Sequence, residues 1–118
     1  MDLEYCEKYG IKYAVAKDTK MTINSTQDAL DLMADCSYNG FDTIMMYEEN
    51  FTLDFFDLKT GIAGEILQKF SNYGMRLGII GDFSKYGSKS LRDFIYECNK
   101  SGKILFMNSL DDVLKGFK

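Results

Sequence analysis

Histidine and proline are both missing from this 118-residue chain. Without histidine, the Ser-His-Asp and Cys-His arrangements of nucleophilic catalysis and the usual zinc ligand sets are excluded. Asp, Glu, Lys, Tyr and Cys remain as the groups that could do chemistry. The three cysteines, Cys6, Cys36 and Cys98, are widely spaced and form no CxxC pair. They are expected to be structural free thiols in a reducing compartment. No stretch approaches the roughly 18 apolar residues of a membrane span. The start, "MDLEYCEKYG", is acidic and has no apolar segment of a secretory signal. A cytoplasmic protein with no membrane partner is the expectation. A Gly/Ser-rich linker, an internal repeat and a low-complexity tract are also missing, so residues 1–118 read as a single domain.

Hydrophobic residues make up 46% of the chain and charged ones 27%, a globular balance. Nine Phe and eight Tyr are generous for this length, and most belong in a core. The net charge of -4 is unevenly laid out. Residues 1–57 hold four basic against twelve acidic side chains, and residues 58–118 hold ten against six. This hints at a polarised surface suited to self-association or to another protein. The acidic total argues against a duplex DNA binder. Lys85, Lys89 and Arg92 beside Tyr86 make only a small basic cluster, so no nucleic-acid partner is expected.

Apolar alternation predicts a strand from Ile11 to Asp18, with the far N-terminus as a hairpin partner through Gly10. Mostly apolar runs predict further strands at Asp42 to Glu49, Met75 to Asp82 and Lys103 to Ser109. Between them lie amphipathic segments. "NSTQDALDLMADC" starts on Ser25 with Asp28 three residues on, a capping box, and Gly40 fits a left-handed stop. "GIAGEILQKFSNYG" carries Ile62, Ala63, Ile66, Leu67, Phe70 and Tyr73 on one stripe. "SKSLRDFIYECNKSG" offers Ser90 and Asp93 as a cap, and "SLDDVLKGF" offers Ser109 and Asp112. The order predicts a small α/β fold: a mostly parallel or mixed sheet of four or five strands with about four helices. With so few strands, helices could gather on one face. The other face would then rest on the N-terminal hairpin or a second subunit.

The second of these helical segments raises the main functional question. Glu65 and Lys69 are four residues apart and so are Gln68 and Asn72, all turned away from the Ile66/Phe70 stripe. They suit an interface or a solvated face held by i,i+4 pairs. Gly61 and Gly64 near its start suggest close packing against the sheet, or a bound anion. "KTGIAG" lacks the GK[ST] element of a phosphate loop, and no GxGxxG pattern is present. Asp54 and Asp57 read as turn or cap residues, with too few oxygens nearby for a metal. The loop "GDFSKYGSKS" is the candidate cleft. It would gather Asp82, Ser84, Tyr86, Ser88 and Lys89 at the C-terminal edge of the sheet, facing the Asp54 to Thr60 loop. Asp82 would serve as a base only if burial or a like charge raised its pKa.

"ALDLM", "FFDLKTGIAGEILQKFSNY", "GIIGDFS" and "SKSLRDFIYECNKSGKILF" together resemble a bacterial family of small proteins described as a domain of unknown function, number 4180. The resemblance covers about residues 11 to 115 and implies a stand-alone cytoplasmic protein with no activity to carry over. The arrangement is also similar to the STAS fold of sulfate-transporter and anti-sigma-factor-antagonist domains. That likeness implies a small mixed sheet backed by helices. It also puts Thr60, in "DLKTG", where those antagonists carry a phosphorylatable serine in a "DSSG"-like turn.

These readings point to a non-catalytic regulatory or protein-interaction domain that self-associates or binds another protein. The alternative is a small-ligand binder or hydrolase-like enzyme using the loops after the second and third strands. The candidate ligand or interface residues are Asp57, Thr60, Gly61, Glu65, Gln68, Lys69, Asn72, Asp82, Ser84, Tyr86 and Arg92. No catalytic residue, metal ligand or cofactor is assigned.

Overall fold

The computed structural model describes residues 3–118. Four strands run parallel: β2 (Ile11–Ala16), β3 (Thr43–Tyr47), β4 (Arg76–Ile80) and β5 (Ile104–Met107). β1 (Leu3–Lys8) pairs antiparallel with β2, and the sheet order is β1-β2-β3-β4-β5. The fold is thus α/β with a mixed, mostly parallel five-stranded sheet, as the alternation of apolar runs predicts. Tyr9 and Gly10 turn β1 into β2, both with positive φ (56° and 77°). That is the two-residue turn whose twist matches a hairpin.

Parallel neighbours need long returns, and helices supply them. α1 (Thr26–Tyr38) links β2 to β3. A short helix, α2 (Leu53–Phe56), and then α3 (Ile62–Asn72) link β3 to β4. α4 (Lys89–Ser101) links β4 to β5, and α5 (Leu110–Phe117) ends the chain. Ser25 and Ser109 cap α1 and α5, accepting from the N–H groups of Asp28 and Asp112. The cap of α4 differs from expectation. Ser88 accepts from Leu91 N at 3.1 Å, and Ser90 lies inside the helix. A serine two residues upstream offers the same chemistry, so local spacing alone did not choose between them.

Alternation along the strands builds two cores. Ala14, Ile44, Met46, Leu77, Ile79 and Phe106 face α1, α3 and α4, together with Phe55, Ile66 and Phe70. Burying each such phenylalanine contributes about 1.5–3 kcal/mol. Tyr13, Val15, Met45, Ile80 and Leu105 face the other way, onto Val113 and Leu114 of α5. The expectation that the hairpin or a second subunit would cover this second face is corrected. The hairpin extends the sheet, and α5 supplies the cover. Gly78 makes room for it, because a β-carbon there would lie 2.4 Å from Val113 Cγ1. Asp111 ties α5 to the hairpin turn. It accepts from the Tyr9 hydroxyl at 2.8 Å, and Lys8 and Lys115 reach it at 3.3 and 3.2 Å.

Candidate functional site

The C-terminal ends of β3 and β4 bring one buried acid to the place where parallel sheets usually present chemistry. Glu48 directly follows β3 and is 7% exposed. Its Oε1 accepts from Asp82 N at 3.3 Å. Its Oε2 accepts from the Tyr86 hydroxyl at 2.8 Å and lies 2.7 Å from Lys85 Nζ. Phe56 stacks on Tyr86 with ring centroids 5.1 Å apart, and Phe83 lies 6.0 Å from Phe56. Burial, then the bond to Glu48, raises the Tyr86 pKa. The bond to Glu48 raises that of Lys85. The group is a brace: it pins the loop after β4 to the end of β3 and occupies both Glu48 oxygens.

Asn50, two residues on and fully buried, ties in the loop after β2. Its amide nitrogen donates to Asp18 O at 2.9 Å and Met21 O at 2.8 Å, and its oxygen accepts from Tyr47 N at 2.8 Å. Sequence reading did not single out Glu48 or Asn50. The available signal was the string Glu48-Glu49-Asn50 at the end of an apolar strand, opposite a Gly-Asp strand end.

The structure brings some of the expected residues together and separates others. Tyr86 meets the segment before α3 through Phe56. Asp82 turns to Ser84, accepting from its hydroxyl at 2.6 Å and its N–H at 3.0 Å. Those bonds lower the Asp82 pKa, opposite to what a general base there would need. Ser88 is spent on the α4 cap, and Lys89 pairs with Asp93 at 3.0 Å. Arg92 is exposed on α4.

Asp57 accepts from Lys59 N at 3.2 Å and caps a short turn. The Thr60 oxygen lies 2.8 Å from the carbonyls of both Asp54 and Asp57 and accepts from Ile62 N at 3.2 Å. Thr60 is therefore exposed yet already knitted into the entry of α3. Gly61 needs its left-handed φ of 75° there. Gly64 corrects an expectation: nothing lies within 4 Å of a β-carbon built on it, so close packing is not its reason. Among the described residues no three His, Cys, Asp or Glu side chains group to hold a metal.

The polar row of α3 lies along a seam. Gln68 donates to Asn72 at 2.9 Å, but among the described residues no ion pair joins Glu65 to Lys69, another departure from expectation. Glu65, Gln68 and Lys69 face Thr26 of α1 across a hollow of about 340 Å³. Further along the seam, Leu30, Ala34 and Ser37 of α1 face Tyr73 and Met75 across a hollow of about 480 Å³. On its far side, Gly64, Leu67, Gln68 and Ser71 face Phe94 and Cys98 of α4 across about 370 Å³. α3 is thus a ridge between two grooves, with Gln68 common to both sides, and the bare Gly64 keeps the α4 side open. Tyr73 is 65% and Tyr38, at the end of α1, 92% exposed.

A family model described as Domain of unknown function (DUF4180) matches residues 8–116, and the chain belongs to that family. No curated protein and no solved structure matches the chain. Among the described residues no helix is long and apolar enough to cross a membrane.

Proposed function

We propose, with that family membership as the starting point, that the chain is a non-catalytic protein-interaction domain with a regulatory role in the bacterial cytoplasm. It self-associates and presents the α3 ridge to a partner protein. The observation that carries this reading is the pair of grooves flanking α3, one walled by α1 and the other by α4. Grooves of this shape accept the apolar face of a helix or the side chains of an extended segment. Their rims carry what interfaces favour: exposed tyrosine, with Gln and Asn as adaptable hydrogen-bonding groups. The brace around Glu48 supports the same reading from the other side. Its carboxylate oxygens hold a loop in place and face internal donors.

The STAS likeness fits a regulatory domain of this kind. Phosphate on Thr60 would replace the three short contacts its oxygen makes at the entry of α3 and so reshape one end of the ridge.

Site-specific photo-crosslinking in cells tests the proposal. A crosslinker at Gln68 or Ala34 is expected to trap a defined partner, and one at Lys115, on the opposite face of the sheet, to trap none. Equal labelling from all three positions, or labelling from Lys115 alone, would remove the ridge as the binding surface.

A further inference from the structure

We infer that the outer edge of β1 pairs with the β1 of a second copy, in one register centred on Cys6. The inference rests on the self-association proposed above and names its surface. The two edges of the sheet differ. At the β5 edge, Asn99 of α4 takes the outward backbone groups of Phe106: Phe106 N donates to Asn99 Oδ1 at 2.7 Å, and Asn99 Nδ2 donates to Phe106 O at 3.2 Å. A side chain thus occupies the position a further strand would need. β1 is the other edge of the sheet, and no described element forms a backbone bond to its outer side.

The hairpin turn decides which groups point outward. A two-residue turn makes Lys8 and Ile11 a hydrogen-bonded pair. Bonded and non-bonded pairs alternate from there. Cys6 with Tyr13 and Glu4 with Val15 are then bonded inward. The N–H and C=O groups of Tyr5 and Glu7 point out. A strand added antiparallel to this edge must bond through those two residues. Continuity of the two faces further requires that residues directly opposite each other lie on the same side of the sheet.

Three symmetric registers satisfy both conditions near the middle of β1, and their charges separate them. Centring on Tyr5 sets Glu4 against Cys6 and Leu3 against Glu7. Centring on Glu7 sets the two Glu7 carboxylates against each other. Centring on Cys6 sets Glu4 against Lys8 twice, and Tyr5 against Glu7 twice. Among the described residues of β1, only this last register sets opposite charges against each other. It yields four backbone hydrogen bonds and two cross-strand ion pairs. Glu4 is exposed and has no ion pair among the described residues. Lys8 contacts Asp111, yet its side chain is 50% exposed and can take a second carboxylate. The two Cys6 residues would face each other as a non-bonded pair, with Cα atoms about 4.5 Å apart. The occupant is therefore a second copy of this chain, selected by its own charge pattern.

The test is sedimentation of full-length protein over a range of concentrations, with folding checked by circular dichroism. Wild type is expected to form a dimer. Glu4→Lys and Lys8→Glu, each alone, bring like charges together twice and should weaken it by roughly tenfold or more. Mixing the two variants restores both opposite-charge pairs, so a heterodimer should form with near wild-type affinity. Loss of fold or of the Asp111 contact could not produce that rescue. Glu7→Pro removes one outward N–H and no inward bond, and it should leave a folded monomer. In a Cys98→Ser background, copper-phenanthroline should join two chains through Cys6. A dimer indifferent to Glu4→Lys and Glu7→Pro overturns the edge register while leaving self-association standing. A chain monomeric at every concentration overturns both, as would be seen if β1 served a strand of another protein instead.

Discussion

Gly81 and Glu48 compete for the same space: a β-carbon placed on Gly81 would lie 2.7 Å from both Cβ and Oε1 of Glu48. The missing side chain on β4's end is what lets the acid at β3's end fold under the following loop. Gly81→Ala should therefore destabilise the protein by about 1–3 kcal/mol, through overpacking against a group held on both oxygens. Urea denaturation would show this as a lower midpoint. An unchanged midpoint would contradict the close approach.

Removing the two ends of the brace should have unequal effects. Glu48→Ala strands the Asp82 N–H and the Tyr86 hydroxyl and should cost about 2 kcal/mol. Lys85 is 55% exposed at its side chain. Lys85→Ala should cost much less than Glu48→Ala, because water screens that end of the pair. Equal losses would mean that the ion pair, not the hydrogen bonds, holds the loop.

Gly78 and Val113 should behave as a coupled pair. Gly78→Ala pushes into Val113 Cγ1 and also comes within 2.8 Å of Met45 Sδ. A loss of about 1–3 kcal/mol is expected. Adding Val113→Ala frees part of that space, so the double variant should be more stable than the sum of the single losses predicts. Strict additivity in a double-mutant cycle would place α5 elsewhere on the sheet.

The order of elements was legible because periodicity is local. Ile44 to Met46 and Ile79 to Ile80 read as buried strands, and Ser25 and Ser109 read as caps from spacings of three residues. The N-terminal hairpin was legible in outline from Gly10. The positive φ of Tyr9 was not, since tyrosine carries no turn signature. The brace was invisible for a different reason. Glu48 meets Asp82 and Tyr86 across 34 and 38 residues of chain. No pattern within a helix or strand encodes such a meeting. The polar row of α3 was recognised as turned away from the core. That it borders two grooves depends on where α1 and α4 settle.

Alkaline solution should loosen the fold from about pH 9. Burial pushes the Cys36 thiol from its ordinary 9.0 up to about 12, and Asp42 adds to the shift. Burial likewise lifts Cys98 to about 11, helped by Glu97. Tyr86 is raised by burial and by Glu48. The folded chain thus keeps protons that the unfolded chain has already released. These contributions are fully present below pH 9 and are lost as the pH climbs toward 12. Cys36→Ala should flatten that decline in a series of thermal melts. A melting temperature constant from pH 8 to 11 would contradict it.

At the acid end Asp111 sets the trend. Tyr9, then Lys115 and Lys8, hold its carboxyl down at about 2, against an ordinary value of 3.8. Its contribution is present above pH 3.8 and is lost as the pH falls toward 2. Asp111→Asn should weaken the hold of α5 on the hairpin turn at neutral pH and remove part of the acid dependence. Hydrogen exchange at the amides of α5 would read both effects.

Asn99 gives the sheet a direction of growth. With Phe106 already answered by an amide from its own chain, the middle of the β5 edge is taken where a further strand would bond. Two copies joined through β1 would therefore present a stopped edge at each end. Such a ten-stranded sheet is a closed count rather than the first segment of a fibril. A single asparagine would thus act as the terminator of a polymer that the open edge alone would leave free to lengthen.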